Sequence, residues 1–223
     1  MAVQAGEGTT DIIYGTTSVP AGPRTFGGYL ARPNGQGEWP TVLVYGPDPV
    51  PSSSIKNICR VIARHGIAAL APDLVGAKDA DLLVSTSMSA FVRNQEGDWS
   101  NAEYGFGVLA FEGGVVPASD LAAADGRVLA FASVGSALDG SVVESLAAAA
   151  ISGLYVGSRA DEPSDAEGST AASDRLPQTT FAVYPDAETG FWNDDADGFE
   201  ERHYDDAIDR VIGFFGETLP PRV

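Results

Sequence analysis

The sequence predicts a single α/β domain over residues 1–223, with three layers (α/β/α) built on a mostly parallel sheet of about seven to eight strands. Apolar segments of strand length alternate along the chain with segments of helical periodicity, as in sheets that carry helices on both faces. The 223 residues suit one such domain, and no internal repeat or long linker divides them. Hydrophobic residues make up 44% of the chain, which is enough for a core.

The individual elements have their own signals. Serines at 52–54 supply good capping chemistry for a helix that ends at Arg64, and Ile55, Ile58 and Ile62 recur at helical spacing within it. Gly105 and Gly107 lie in an apolar run, where close backbone packing accounts for them. The predicted strands are 27–31 at an edge, then 41–45, 67–71, 105–111, 127–133, 151–156 and 179–184, and the predicted helices are 52–64, 79–94, a short one ending at Ala124, and 205–218.

The net charge of the chain indicates which classes of binding partner to expect. Asp and Glu total 31 against 13 Lys and Arg, a formal net charge of −18. Such a surface repels phosphate backbones and anionic lipid, so we expect neither a nucleic-acid nor a membrane partner. A single cysteine, Cys59, excludes an intrachain disulfide, and the N-terminal residues show no secretory pattern. We therefore expect a cytoplasmic location; the oligomeric state is left open.

Several segments resemble one known family. Residues 27–46 read as an edge strand, a Pro/Gly turn and a buried strand, and residues 58–74 as a helix, a Gly turn and a strand ending in Pro-Asp-Leu. Residues 108–114, 153–161, 183–191 and 204–215 follow with matching spacing. In this order the chain resembles the dienelactone hydrolase family, which implies an α/β-hydrolase fold and, for typical members, cleavage of esters or lactones.

The resemblance also implies where catalytic residues would stand. The family carries a Cys or Ser nucleophile in a G-x-(C/S)-x-G-G turn, then an acid, then a histidine. The glycine pair 113–114 puts Phe111 at the nucleophile position, Asp161 stands approximately at the acid position, and Thr189 stands at the histidine position. A phenyl ring cannot attack a carbonyl, and threonine cannot shuttle a proton near neutral pH. The resemblance therefore implies a divergent member that has lost ester and lactone hydrolysis, a pseudoenzyme.

An alternative registration keeps a nucleophile. Residues 131–136 would make Ser133 the attacking group, which supplies a hydroxyl but leaves little chain before the histidine segment. The chain has two histidines, His65 at the end of a predicted helix and His203 before the last helix, and both are expected to be structural or surface residues. Three functions follow: a ligand- or partner-binding module, a divergent hydrolase that uses Ser133, or a non-hydrolytic cyclase or isomerase.

The binding surface is expected where the parallel strands end, because open α/β sheets bind ligands there. The expected rim is aromatic and acidic, which favours a neutral or cationic small molecule, or a protein with a basic face. A second expectation is that Phe111 and its neighbours fill this crevice instead. Besides Asp161 and Thr189, the rim residues are Tyr45, Asp48, Glu112, Phe191 and Trp192.

Residues 186–206 carry nine carboxylates, and part of this segment matches half of a calcium loop. Asn193, Asp195 and Asp197 would be the ligands, but Tyr204 stands where the loop needs its bidentate Glu. A solvated acidic loop is therefore the preferred interpretation. The sequence shows no zinc cluster, phosphate loop or dinucleotide motif, and we expect no cofactor.

Overall fold

The computed structural model describes residues 8–21, 24–75, 81–95, 98–158 and 172–223. Its centre is an eight-stranded sheet in the order β1-β2-β4-β3-β5-β6-β7-β8. Strands β3 to β8 run parallel to their neighbours, whereas β2 pairs antiparallel with both β1 and β4. This confirms the predicted fold class. The strands are β1 Ile12–Ala21, β2 Arg24–Pro33, β3 Thr41–Tyr45, β4 Ala68–Pro72, β5 Phe106–Phe111, β6 Val128–Val134, β7 Ser152–Ser158 and β8 Thr179–Tyr184.

Helices cover both faces of the sheet, and the sheet divides the hydrophobic core into two clusters. Helices α1 and α5 pack on one face, and α2, α3 and α4 pack on the other. We call these the α1/α5 face and the α2–α4 face. The helices are α1 Ser53–Arg64, α2 Asp81–Arg93, α3 Val115–Ala124, α4 Gly140–Ala149 and α5 Glu201–Thr218.

The central strands are buried on both faces, which explains why they read as continuous apolar runs instead of alternating ones. Every residue of β3, β4 and β5 is buried. The predicted strands at 41–45, 67–71, 105–111 and 151–156 are confirmed as buried and interior to the sheet.

Local side-chain contacts set the beginnings of two helices. The Ser52 hydroxyl accepts a hydrogen bond from the Ile55 N–H at 3.3 Å, which confirms the predicted start of α1. The Asp139 carboxylate caps α4 in the same way, accepting from Ser141 N at 2.9 Å and Val142 N at 3.0 Å. The Ser141 hydroxyl also donates to this carboxylate, at 2.7 Å. This hydroxyl, and after it the backbone N–H groups, hold the pKa of Asp139 below its usual value.

Two expectations need correction, and one helix is absent from the predicted elements. The strand predicted at 27–31 is not an edge, because β1 pairs along the full length of β2 and takes the edge position. Helix α4 is the unpredicted element, because its Ala-rich segment has little helical periodicity. Helix α5 begins at Glu201, four residues before the predicted start at 205. No helix among the described residues is both long and apolar enough to span a bilayer.

Candidate functional site

The turn from β5 into α3 has the geometry of a strained elbow. Phe111 is extended, with φ −123° and ψ 128°, and ends the strand. Glu112 then adopts φ 46°, a left-handed conformation that few residues other than glycine take. Residues Glu112–Gly114 form one 3₁₀ turn that leads directly into α3. The elbow residue is therefore Glu112, one position later than the Phe111 expected from the glycine pair.

The small residues on either side of the elbow fit this assignment. Ala110 precedes Glu112 by two positions and Gly114 follows it by two, which is the small-x-residue-x-small spacing of a nucleophile elbow. A Cβ on Gly114 would lie 2.6 Å from the carbonyl oxygens of both Tyr45 and Gly46. Since no Cβ approaches backbone that closely, the elbow packs against the end of β3 only with glycine at this position.

The side chain at the elbow is held by a tryptophan. The Trp192 Nε1–H donates a hydrogen bond to Glu112 Oε1 at 3.1 Å. The indole is 1% exposed and packs on Phe111, with ring centroids 4.5 Å apart. It also lies over Gly135, where an added Cβ would come within 2.8 Å of the indole ring. Trp192 therefore fills the space above the ends of β5 and β6.

The other expected rim residues are not all brought together. Phe191 is fully buried beside Tyr184, with ring centroids 5.4 Å apart in an edge-to-face arrangement. Asp48, after β3, and Thr189, in the loop after β8, are exposed. Asp161, expected at the acid position, lies outside the described residues.

Tyr45 belongs to the other side of the sheet. It is 1% exposed and packs in the core of the α2–α4 face, whereas Phe111 and Trp192 pack in the core of the α1/α5 face. Burial raises the pKa of its phenol, and the neighbouring Ser85 hydroxyl acts in the opposite direction. Tyr45 therefore contributes packing, and the expectation that it lines a rim together with Trp192 is wrong.

The acidic loop that follows β8 is anchored to α1. Ser53 Oγ donates to Asp195 Oδ2 at 2.5 Å, and Ser54 Oγ lies 2.6 Å from Asn193 Oδ1. The amino end of a helix favours such nearby negative charge. Among the described residues, no three His, Cys, Asp or Glu side chains are grouped to hold a metal ion. The calcium-loop interpretation through Asn193, Asp195 and Asp197 is not supported by this arrangement. The side-chain oxygens of Asn193 and Asp195 accept hydrogen bonds from serine hydroxyls, and Asn193 Oδ1 also accepts from the Asp195 N–H at 3.1 Å.

His203 is buried, contrary to the surface position expected for it. It lies in the first turn of α5, stacked on Tyr184 with ring centroids 4.8 Å apart. Its Nδ1 is 2.9 Å from Glu200 Oε2, and its Nε2 is 3.4 Å from Asp186 Oδ1. The Arg202 guanidinium lies 3.0 Å from the same Nε2. Nδ1 makes no hydrogen bond within the described part of the chain, so its approach to Glu200 is a contact of distance only. Together these contacts hold both ends of the loop against the start of α5. His65 Nδ1 lies 2.9 Å from the Val61 carbonyl at the end of α1, in agreement with a structural role.

Ser133, the alternative nucleophile, does not lie at a turn. It is inside β6, is 1% exposed, and pairs in register with Ala110 and Tyr155 of the flanking strands. Its hydroxyl makes no hydrogen bond to any group in the described part of the chain. No described base is therefore in reach to activate it.

Comparisons with known proteins agree with this architecture. A provisionally assigned dienelactone hydrolase of Klebsiella pneumoniae superposes with a TM-score of 0.76 at 20% identity, covering 93% of this chain and 99% of that one. A dienelactone hydrolase from Anabaena variabilis gives 0.70 at 18% identity, covering 94% and 99%. A dienelactone hydrolase-like promiscuous phosphotriesterase from metagenomic libraries gives 0.76 at 14% identity, covering 94% and 99%.

No protein-family model matches the chain, and a search of curated proteins found no match. At these identities the structural likeness shows that the chain has the α/β-hydrolase fold found in dienelactone hydrolases. It says nothing about which residues carry a function.

The elbow packing is testable with two neighbouring glycines. Gly114→Ala should lower the free energy of unfolding by about 1–3 kcal/mol, because its Cβ collides with the end of β3. Gly113→Ala is the matched control, since its Cβ would meet nothing nearer than the Pro47 carbonyl at 3.9 Å. We expect its effect to stay within about 0.5 kcal/mol. Urea unfolding measures both, and equal stability of the two variants would contradict the elbow geometry.

The isolated Ser133 hydroxyl gives a second prediction. Ser133→Ala should leave the free energy of unfolding unchanged or raise it by about 1 kcal/mol, because a buried hydroxyl without a partner costs stability. Ser100→Ala is the control, since the buried Ser100 Oγ lies 2.8 Å from Thr41 Oγ, and its loss should cost about 1–3 kcal/mol. A clear loss of stability in Ser133→Ala would show that this hydroxyl is satisfied in solution.

Proposed function

We propose that this chain uses the α/β-hydrolase fold as a binding protein and does not hydrolyse esters or lactones. One observation carries the proposal: the elbow, where this fold presents its nucleophile, holds Glu112, and the group against it is the indole of Trp192. Neither side chain has the chemistry that acyl transfer to water requires at that position.

The chemical argument begins with the nucleophile. Hydrolysis through an acyl-enzyme needs a hydroxyl or thiol that an adjacent base activates. Attack by the Glu112 carboxylate on an ester would give an anhydride, and the leaving alkoxide would need a proton from a nearby acid. The indole N–H of Trp192 donates a hydrogen bond but accepts none and does not titrate near neutral pH. With Glu112 at the nucleophile position, Trp192 supplies neither the base nor the acid that a hydrolytic cycle needs beside it.

The charge around the elbow indicates what the surface would bind. Glu112 is partly exposed and Gly113 beside it is exposed, so the elbow reaches solvent. Asp48 is exposed after β3, and the loop after β8 adds exposed carboxylates at Glu188, Asp194, Asp195 and Asp197. A carboxylate set of this kind favours a cationic group and disfavours a carboxylate substrate. We infer that the ligand is a small cation or a protein with a basic face.

A second candidate function rests on the same residue. A carboxylate on a strained elbow, open to solvent on one side, has the position expected of a general base. This favours a non-hydrolytic reaction, such as an isomerisation or a cyclisation, over the hydrolase that would use Ser133. Proton abstraction would be abolished in Glu112→Gln, whereas binding of a neutral substrate would be retained.

The loss of hydrolysis is tested directly. The purified protein should cleave p-nitrophenyl acetate and dihydrocoumarin no faster than buffer, and Ser133→Ala should change nothing. Glu112→Ser should also recover little activity, because a nucleophile without its base loses most of a triad's rate. Turnover well above buffer that disappears in Ser133→Ala would refute the proposal and support the hydrolase.

The preference for cations is tested with molecules of one shape. We expect choline to raise the melting temperature most. Its neutral analogue 3,3-dimethylbutanol should raise it less, and the anion 3,3-dimethylbutyrate least. About 0.15 M salt suppresses non-specific attraction to the highly charged chain. The effect of choline should weaken in Glu112→Gln, which keeps an acceptor for Trp192.

The matched control is Glu217→Gln, which removes the same charge from an exposed site near the far end of α5. It should leave the effect of choline unchanged. Stabilisation by the anion and not by choline would refute the electrostatic argument, and equal loss in both variants would show that choline responds only to total charge.

A further inference from the structure

The α2–α4 face contains a cavity that is separate from the elbow. Its volume is about 190 Å³, and it lies between α4, strands β6 and β7, and residues 175–179, which lead into β8. Most of its lining is apolar, with Phe131 on the sheet, Leu138 and Leu146 at the helix, and Leu176 opposite. The lining continues to Arg175 and Gln178, which are exposed, so the cavity reaches the surface.

A buried hydroxyl without a partner belongs to this lining. Ser133 lines the cavity and is 1% exposed, and its hydroxyl has no hydrogen-bond partner in the described part of the chain. Buried hydroxyls are nearly always hydrogen-bonded, because a lone one loses its water without compensation. A group bound in the cavity would restore that hydrogen bond.

The cavity and the elbow lie on opposite faces of the sheet. Successive side chains of a strand point to opposite sides. In β6, Phe131 packs in the core of the α2–α4 face, whereas Ala132 and Val134 pack in the core of the α1/α5 face together with Trp192. Ser133 therefore faces α4, away from the indole that holds Glu112. A ligand in the cavity would touch neither member of the elbow pair.

We propose that this cavity binds a neutral, largely apolar molecule with one hydroxyl or carbonyl group, which forms a hydrogen bond with Ser133. An apolar protein cavity of about 150 Å³ accommodates benzene, so this slightly larger one has room for a single ring with a small substituent. The interior favours a neutral ligand, because Phe131, Leu146 and Leu176 cannot replace the hydration of an ionised group. The charged lining residue Arg175 is exposed, at the mouth of the cavity. The proposal is independent of any function at the elbow.

Phenol and toluene test the proposal, because they have nearly the same size and differ by a hydroxyl in place of a methyl group. Calorimetric titration of the full chain should show that both bind. In Ser133→Ala the affinity for phenol relative to that for toluene should fall about threefold to tenfold, the usual worth of one hydrogen bond. An unchanged ratio would overturn the role of Ser133, and absence of binding by both molecules would overturn the site.

A second pair of variants locates the binding. Ala147 lines the cavity and Ala148 is exposed on the same helix. Ala147→Phe should fill the cavity and abolish binding of both molecules, and Ala148→Phe should bind them as the unmodified protein does. Full binding by a folded Ala147→Phe would overturn the site. Should that variant fail to fold, the Ser133→Ala comparison still decides. Benzoate is the last probe, and benzoate binding tighter than phenol would overturn the assignment to a neutral ligand.

Discussion

The close packing of Gly114 on the end of β3 is the constraint on which the site depends. The carbonyl oxygens of Tyr45 and Gly46 stand where a Cβ on Gly114 would be, so α3 begins directly against the backbone of β3. To enter that contact from the fully buried β5, the chain must turn sharply within Glu112–Gly114. This turn places Glu112 in the left-handed conformation, which destabilises the folded state by about 1–3 kcal/mol for a residue other than glycine. Any residue at position 112 would meet the same backbone requirement, whatever its chemistry.

The loop after β8 packs against the turn and covers it. Trp192 contacts the elbow, the serines of α1 hold Asn193 and Asp195, and His203 pairs with Glu200 and Asp186 at the loop's other end. The loop is thus held by three different parts of the structure: the elbow, the start of α1 and the start of α5. Beneath it, Phe191 and Trp192 fill the space above the strands and extend the core of the α1/α5 face. In the described part of the chain these two rings occupy much of the crevice, and the carboxylate of Glu112 lies at its partly exposed edge.

The sequence predicted the sheet better than it predicted the site, for physical reasons. Fully buried parallel strands are recognisable because both faces must be apolar, and β3, β4 and β5 followed that pattern. Strand β1 was missed because only alternate residues of an edge strand are shielded, and its sequence has mixed polarity. The elbow was placed one residue early, because φ cannot be read from a glycine pair. The small residues Ala110 and Gly114 were the signal that identifies Glu112. Tyr45 was assigned to a shared rim because spacing along the chain does not say which side of the sheet a side chain takes.

Strand β6 shows how the fold keeps two places chemically separate. Its last residues alternate, so that Val134 packs under the loop and Ser133 lines the cavity on the other face, and Gly135 then provides the surface on which Trp192 lies. Hydrolysis in this fold joins a nucleophile at the elbow to a base in the loop after the last strand. In this chain the corresponding contact is the hydrogen bond from the Trp192 indole to the Glu112 carboxylate. It stabilises the loop and involves no proton transfer. The hydroxyl of Ser133 lies on the opposite face of the sheet and cannot join it. The sheet itself lies between them, so no rotamer change within β6 could bring Ser133 to Glu112 or Trp192. We therefore base the proposal of binding, at the elbow or in the cavity, on this separation of the two faces.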